Sequence, residues 1–241
     1  MTSPSHEPRL ARVAALVADA SRARMLCFLL GGEYASAGEL AHTAGVSAAT
    51  ASAHLAQLLD AGLLACEPRG RHRYYRLADG DVAHALEALA MVAERESHAR
   101  AWSSPARARL REARCCYGHL AGRVGVGLLK GMVDQGWLER IGVNGYEVTD
   151  RGAAALDAWG LDGAEWQRRS RASARVAYGC LDWSERRDHL AGKLASALLQ
   201  QGLSQGWFRQ RPDERRVLRL TPAGRRALAT WLPPEVLAEA G

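Results

Sequence analysis

Residues 119–138 and 189–208 of this 241-residue chain read HLAGRVGVGLLKGMVDQGWL and HLAGKLASALLQQGLSQGWF. The two stretches match at His119 and His189, at the Leu-Ala-Gly after each, and at Gly136-Trp137 and Gly206-Trp207, with no change of length between. Each runs on into a hairpin-like stretch, ERIGVNGYEV or RQRPDERRVLRL, and then a Thr-x-x-Gly that opens another helix, at Thr149…Gly152 and Thr221…Gly224. Self-similarity of this kind constrains a fold strongly, because each copy is one supersecondary unit and the copies cover each other's apolar faces. The reading is a duplicated C-terminal domain over residues 101–241, with copies at about 112–160 and 176–232. Asn144-Gly145 predicts a hairpin turn in the first copy.

Each copy carries a cysteine ahead of its histidine: Cys116 three residues before His119, with Cys115 beside it, and Cys180 nine residues before His189 across LDWSERRD. Pseudo-twofold packing of the copies would bring both pairs into one Cys2His2 shell, a set that zinc accepts. Cys115, Cys116 and Cys180 would equally suit another thiophilic ion or a redox pair. The plainer alternative makes HLAG a helix start with a locally bonded histidine, and the cysteines small packing residues. Trp159, Trp166, Tyr178 and Trp183, with nearby arginines, suggest a further possibility, a pocket for a small-molecule effector between the copies.

The first hundred residues have a different pattern. Val13, Leu16, Val17, Met25, Leu26 and Leu29 recur at helical spacing, and Gly31-Gly32 ends that run. Ser36 with Glu39 three residues on is a capping box for a short helix. Ser47 then caps a second helix, whose stripe is Leu55, Leu58 and Leu59 and whose end is Gly62. LLACEPRGRHRYYRL follows as two extended segments around a basic glycine turn, a β-hairpin. Helix, short helix, turn, helix, hairpin and helix is the order of a winged helix-turn-helix. By that measure each C-terminal copy is a trimmed winged-helix-like unit, six residues shorter from its Leu-Ala to its glycine stop. The fold class expected for the whole chain is α+β, mainly α with small β-hairpins.

Ser21-Arg22, Glu39-Leu40-Ala41, Val46-Ser47 with Ser52-Ala53-His54-Leu55, Ala61-Gly62-Leu63 and Gly70 with Tyr75-Arg76-Leu77 fall in one register over residues 10–98. In this the chain resembles the arsenical-repressor (ArsR/SmtB) family of winged-helix regulators. The resemblance implies a dimeric repressor that binds double-stranded DNA and leaves its operator when an effector binds. A recognition helix docks its first turns in the major groove while wing arginines grip the backbone. That assigns Ser47, Thr50, Ser52 and His54 to the helix contacts, and Arg69, Arg71, His72 and Arg73 to the wing. Ala48, Ala49 and Ala53 stand where longer polar side chains are common in the family, so backbone contacts should carry most of the affinity. The family's metal positions are largely replaced: Ala37, Gly38 and Glu39 take the place of a Cys-x-Cys. Asp81, His84 and His98 resemble an acidic/His site but with the wrong spacing, and read better as a solvated helix face.

Composition narrows the classes that remain. The formal net charge is +6, but residues 1–100 carry ten Lys/Arg against eleven Asp/Glu, and residues 101–241 carry twenty-two against fifteen. DNA binding by the first half therefore rests on a local basic patch and not on bulk charge. Arginine or aspartate interrupts every apolar run near the N-terminus, so no cleavable signal and no membrane span is expected. Five cysteines, an odd number, argue for reduced thiols in the cytoplasm. No nucleotide-binding loop or nucleophile–base arrangement marks an enzyme. The sequence thus predicts a cytoplasmic DNA-binding regulator, with a metal or small molecule as effector and zinc or another thiophilic ion as the candidate cofactor. The alternative is an architectural protein that binds DNA or a partner without sensing.

Overall fold

The computed structural model describes residues 7–31, 34–69, 72–93, 105–210, 214 and 216–239. It divides into two compact units, residues 1–86 and 87–241, against a boundary near 100 expected from the sequence. Of the expected junction at 101–111, residues 101–104 lie outside the described residues and the rest belongs to a helix.

In the first unit, α1 (Glu7–Val17) and α2 (Ala20–Leu29) are followed by β1 (Ala35–Ser36), α3 (Ala37–Ala44), α4 (Ala48–Asp60), β2 (Leu64–Arg69) and β3 (His72–Leu77), and α5 (Gly80–Ala93) begins here. The local chemistry explains the breaks. Asp19 accepts the backbone N–H groups of Ser21 and Arg22 at the head of α2. Ser36 and Glu39 form the full capping box of α3, which ends at Gly45 in the left-handed conformation. Ser47 accepts the N–H of Thr50 to start α4. Met25, Leu26, Leu29, Leu40, Leu55 and Leu58 fill the core, while Leu59, expected in the buried stripe, is half-exposed. The wing is a three-stranded antiparallel sheet of order β1-β3-β2, with Leu64 paired to Leu77 at its base and Arg69 to His72 at its tip. This is a winged helix-turn-helix.

The second unit continues with α6 (Pro105–Glu112), β4 (Arg114–Cys116), β5 (His119–Ala121), α7 (Gly122–Asp134), β6 (Leu138–Ile141), β7 (Gly145–Val148), α8 (Asp150–Ala158) and α9 (Gly163–Ala172). After these come β8 (Tyr178–Leu181), β9 (Asp188–Ala191), α10 (Lys193–Ser204), β10 (Phe208–Arg209), β11 (Arg219–Leu220), α11 (Pro222–Ala227) and α12 (Pro234–Glu239). Thr149 and Thr221 are N-caps with the same bonds. Their hydroxyls donate to the carbonyls of Gly136 and Gly206 at 2.6 and 2.8 Å, and each accepts the N–H of the glycine three residues on at 3.0 Å. Each Cys/His hairpin lies against an extended segment from the other half of the unit. Strand β8 pairs with β7, while Arg114 bridges Val217 and the Cys115 N–H donates to the Arg216 carbonyl at 2.8 Å.

Two local expectations change. HLAG is not wholly a helix start, because His119, Leu120 and Ala121 form a strand and α7 begins only at Gly122. The turn of the β6–β7 hairpin is Gly142-Val143-Asn144, since Ile141 pairs with Gly145. Gly145 belongs to the strand, where it pairs with Tyr178 and packs on Ile141 and Ala174.

Candidate metal centre and nucleic-acid interface

In strands, alternate side chains face opposite ways, and register partners of an antiparallel pair share a face. Cys116 is the register partner of His119, and Cys180 that of His189. Two hairpins of different loop length thus present the same Cys/His pair. The first closes on Tyr117 and Gly118, both at positive φ (46° and 89°), as a tight two-residue turn requires. The second is spanned by Asp182–Arg187, with the Asp182 N–H donating to the Arg187 carbonyl at 2.9 Å. The LDWSERRD insertion lengthens a turn and leaves the pairing intact.

Strands β5 and β9 lie against each other, and the two pairs meet. One ligand atom each from Cys116, His119, Cys180 and His189 lie within 4.8 Å of one another, all four residues being buried. The imidazole centroids are 5.1 Å apart. Ala121, Ala191 and Tyr178 line the same small cluster. Cys115 is not brought there: as the partner of Leu120 it faces the large apolar core. The Cys116 thiol is pushed well up by its hydrogen bond to Cys180 and by burial.

Residues that carry no motif of their own in the sequence surround the tetrad. Asp182 Oδ2 lies 3.1 Å from His189 Nδ1, an ion-pair approach off the ideal hydrogen-bond line, and accepts the Gly122 N–H at 2.7 Å. Its Oδ1 accepts Ser184 Oγ–H at 2.7 Å and lies 3.1 Å from Arg114 Nη2. Arg114, fully buried, also donates to Ser184 Oγ, approaches Glu87 at 3.5 Å and stacks on Trp183. Burial opposes ionisation of Asp182, but Arg114, His189 and Ser184 outweigh it and hold the carboxyl far below its usual range. Burial likewise opposes charge on His189, yet Asp182 and Cys116 push its pKa up to about 9. An aspartate within the Cys–His insertion was the available signal; its approach to His189 depends on a tertiary turn.

Trp159, expected beside an effector pocket, is a core residue. Trp159 stacks on Trp231 at 3.6 Å and meets Trp207 edge-on at 4.9 Å, inside the core. The cavity beside Trp159, lined also by Leu120 and Leu190, holds only about 10 Å³, no more than one water molecule requires.

In the first unit, Ser47, Thr50 and Ser52 stand exposed on the first turns of α4. His54 turns back instead: its Nδ1 is 3.2 Å from Arg22 Nη1 and its Nε2 3.9 Å from Asp19. On the wing, Arg69 lies over the Tyr34 ring and pairs with Glu67 at 3.4 Å. His72 is exposed, and Arg73, also exposed, donates to Cys66 Sγ at 3.4 Å. Arg71 lies outside the described residues, as does His98.

A capped helix pair presenting an exposed helix start beside a basic wing defines a DNA-binding transcriptional regulator. Comparison with known proteins agrees. The Helix-turn-helix domain family model matches residues 17–67. The chain is 41% identical over 225 residues to the uncharacterized HTH-type transcriptional regulator YdfF of Bacillus subtilis, spanning 93% of this chain and 97% of that one. It is 37% identical over 92 residues to the HTH-type regulator CmtR of Mycobacterium tuberculosis, covering 38% of this chain and 77% of CmtR, whose solved structure describes a cadmium metal-sensor. The homodimeric winged helix-turn-helix domain of Mb0332 from Mycobacterium bovis is 30% identical, with a TM-score of 0.36, over 41% of this chain and 95% of that one. The chain belongs to the HTH-type transcriptional regulators, and its first hundred residues resemble those of the ArsR/SmtB type. Its relatives are named as regulators and not as enzymes.

Proposed function

We propose that this protein is a dimeric repressor whose second unit senses an effector at Cys116, His119, Cys180 and His189. The observation that carries the reading is the convergence of four buried metal-ligating side chains from two hairpins. Residues 112–160 and 176–232 are two copies of one element; the matching threonine caps and hairpin registers support this. Ser47, Thr50 and Ser52 contact the major groove while Arg69, Arg71, His72 and Arg73 hold the backbone. His54 supports α4 through Arg22 and Asp19 more than it reaches DNA. Leu89 and Val92, half-exposed on α5 and three residues apart, suit the interface with a second copy.

The test is a fluorescence-anisotropy titration of duplex DNA from upstream of the protein's own coding sequence, with chelator and then with zinc or cadmium. Metal should weaken binding by about 5- to 150-fold, the usual range of coupling between sites. A Cys116→Ala/Cys180→Ala variant should bind DNA tightly in both conditions. Affinity indifferent to metals and thiol oxidants would favour an architectural role instead.

A further inference from the structure

The donor set decides which ion the tetrad suits. Two thiols and two imidazoles are borderline-soft, and four of them complete a tetrahedral shell. With zinc–sulfur bonds of about 2.3 Å and zinc–nitrogen bonds of about 2.0 Å, tetrahedral ligands stand roughly 3.3–3.8 Å apart. The side chains, within 4.8 Å of one another, need to close by no more than about 1.5 Å. Because all four are buried, no coordination position opens to solvent. Such a centre holds an ion rather than presenting it to a substrate.

A metal-bound imidazole is normally held from behind, its second ring nitrogen bonded to a carboxylate or carbonyl. Asp182 is placed for that part at His189. Its Oδ2 faces Nδ1 at 3.1 Å, which leaves Nε2 as the nitrogen for the tetrad; neither ring nitrogen makes a hydrogen bond of good geometry in this structure. Asp182 cannot swing in as a ligand itself. Gly122 N–H, Ser184 N–H and Oγ–H, Glu185 N–H and Arg114 all bind its two oxygens, at 2.7–3.2 Å. The Tyr117-Gly118 turn of the other hairpin contains no carboxylate, so the longer Cys180–His189 connection supplies what the shorter cannot.

We infer that the tetrad takes one four-coordinate zinc-class divalent ion per chain, and that Asp182 is the positioning residue that aims His189 Nε2 at it. This rests on the sensing site proposed above and assigns its ion and its support. The experiment titrates cadmium into the full chain against a competing chelator, following thiolate-to-cadmium charge-transfer absorption. The wild type should take up one equivalent. Asp182→Asn should keep the absorption, because both thiolates remain, and bind about 10- to 100-fold more weakly. Cys116→Ala should lose most of the absorption.

Long-range ¹H–¹⁵N correlation of the cadmium-loaded wild type gives a reading that needs no variant to fold. It should show Nδ1 of His189 protonated and Nε2 on the metal. Unchanged affinity in Asp182→Asn, or coordination through Nδ1, would overturn the role of Asp182 while leaving the metal site standing. A wild type that takes up neither cadmium nor zinc would overturn the ion itself; the DNA titration above then reports separately whether another effector acts.

Discussion

Gly122 and Gly192 occupy the last position of each HLAG, and both have left-handed backbones, with φ of 78° and 91°. A Cβ on Gly192 would stand 2.6 Å from the Val176 carbonyl oxygen, whereas one on Gly206, also left-handed, would meet nothing within 4 Å. Gly206→Ala should therefore cost only the left-handed penalty, roughly 1–2 kcal/mol. Gly192→Ala must also displace backbone and should cost roughly 3 kcal/mol or more. Urea unfolding followed by circular dichroism reads both within one unit, and equal midpoint shifts would refute the close packing. The adjacent cysteines give a second contrast of one residue. Cys115→Ala removes a buried sulfur from the apolar core and should lower stability by roughly 1–2 kcal/mol, leaving metal stoichiometry unchanged. Cys116→Ala should abolish tight metal uptake; the reverse pattern would mean that the hairpin faces are exchanged.

At the scale of the element, the wing is pinned at its side by Glu67, which accepts from Tyr34 Oη at 2.7 Å and from Arg76 Nε at 3.4 Å. The Tyr34 bond, then Arg76 and Arg69, hold its carboxyl below the ordinary value of 4.5. A depressed carboxylate contributes stability that is complete above that value and is lost as pH falls through the folded pKa. Tyr34→Phe should move the Glu67 titration up towards 4.5, read by carboxyl ¹³C shifts, and speed exchange of β2–β3 amides in mild acid. A titration that does not move would place Tyr34 outside the pin. The elements of this unit were legible because their signals are local: Ser36 with Glu39, Ser47 before its helix, and Gly62 after it. The Cys/His hairpins were not, since strands of three residues are too short for alternation to show against the helical pattern that follows. Tyr117 at positive φ gives no sequence warning of a turn. The ligand residues could be named from the duplication alone, but Asp182 and Arg114 become neighbours only through folding.

For the whole molecule, the question is whether its basic second half takes part in DNA binding. Residues 101–241 carry the charge excess, yet many of their arginines are spent internally. Arg168 and Arg169 pair with Glu165, Arg109 and Arg219 with Glu214, Arg111 with Glu185, and Arg216 with Glu87. A paired guanidinium releases few counterions on meeting a phosphate, so bulk charge overstates the footprint. Exposed positive charge on the wing should count more per residue, although the first hundred residues are nearly neutral. The salt dependence of affinity separates these cases. Each phosphate contact contributes about 0.9 to the slope of log affinity against log salt. Arg69→Ala/Arg73→Ala should therefore flatten the slope by about 1 to 2, Arg73 giving the larger share because Glu67 already pairs with Arg69, and weaken binding alike across sequences. Arg168→Ala/Arg169→Ala should change slope and affinity less, because Glu165 already pairs with both guanidiniums. If the second pair flattens the slope and the first does not, the DNA footprint belongs to the duplicated unit, and the wing arginines are a solvated hairpin.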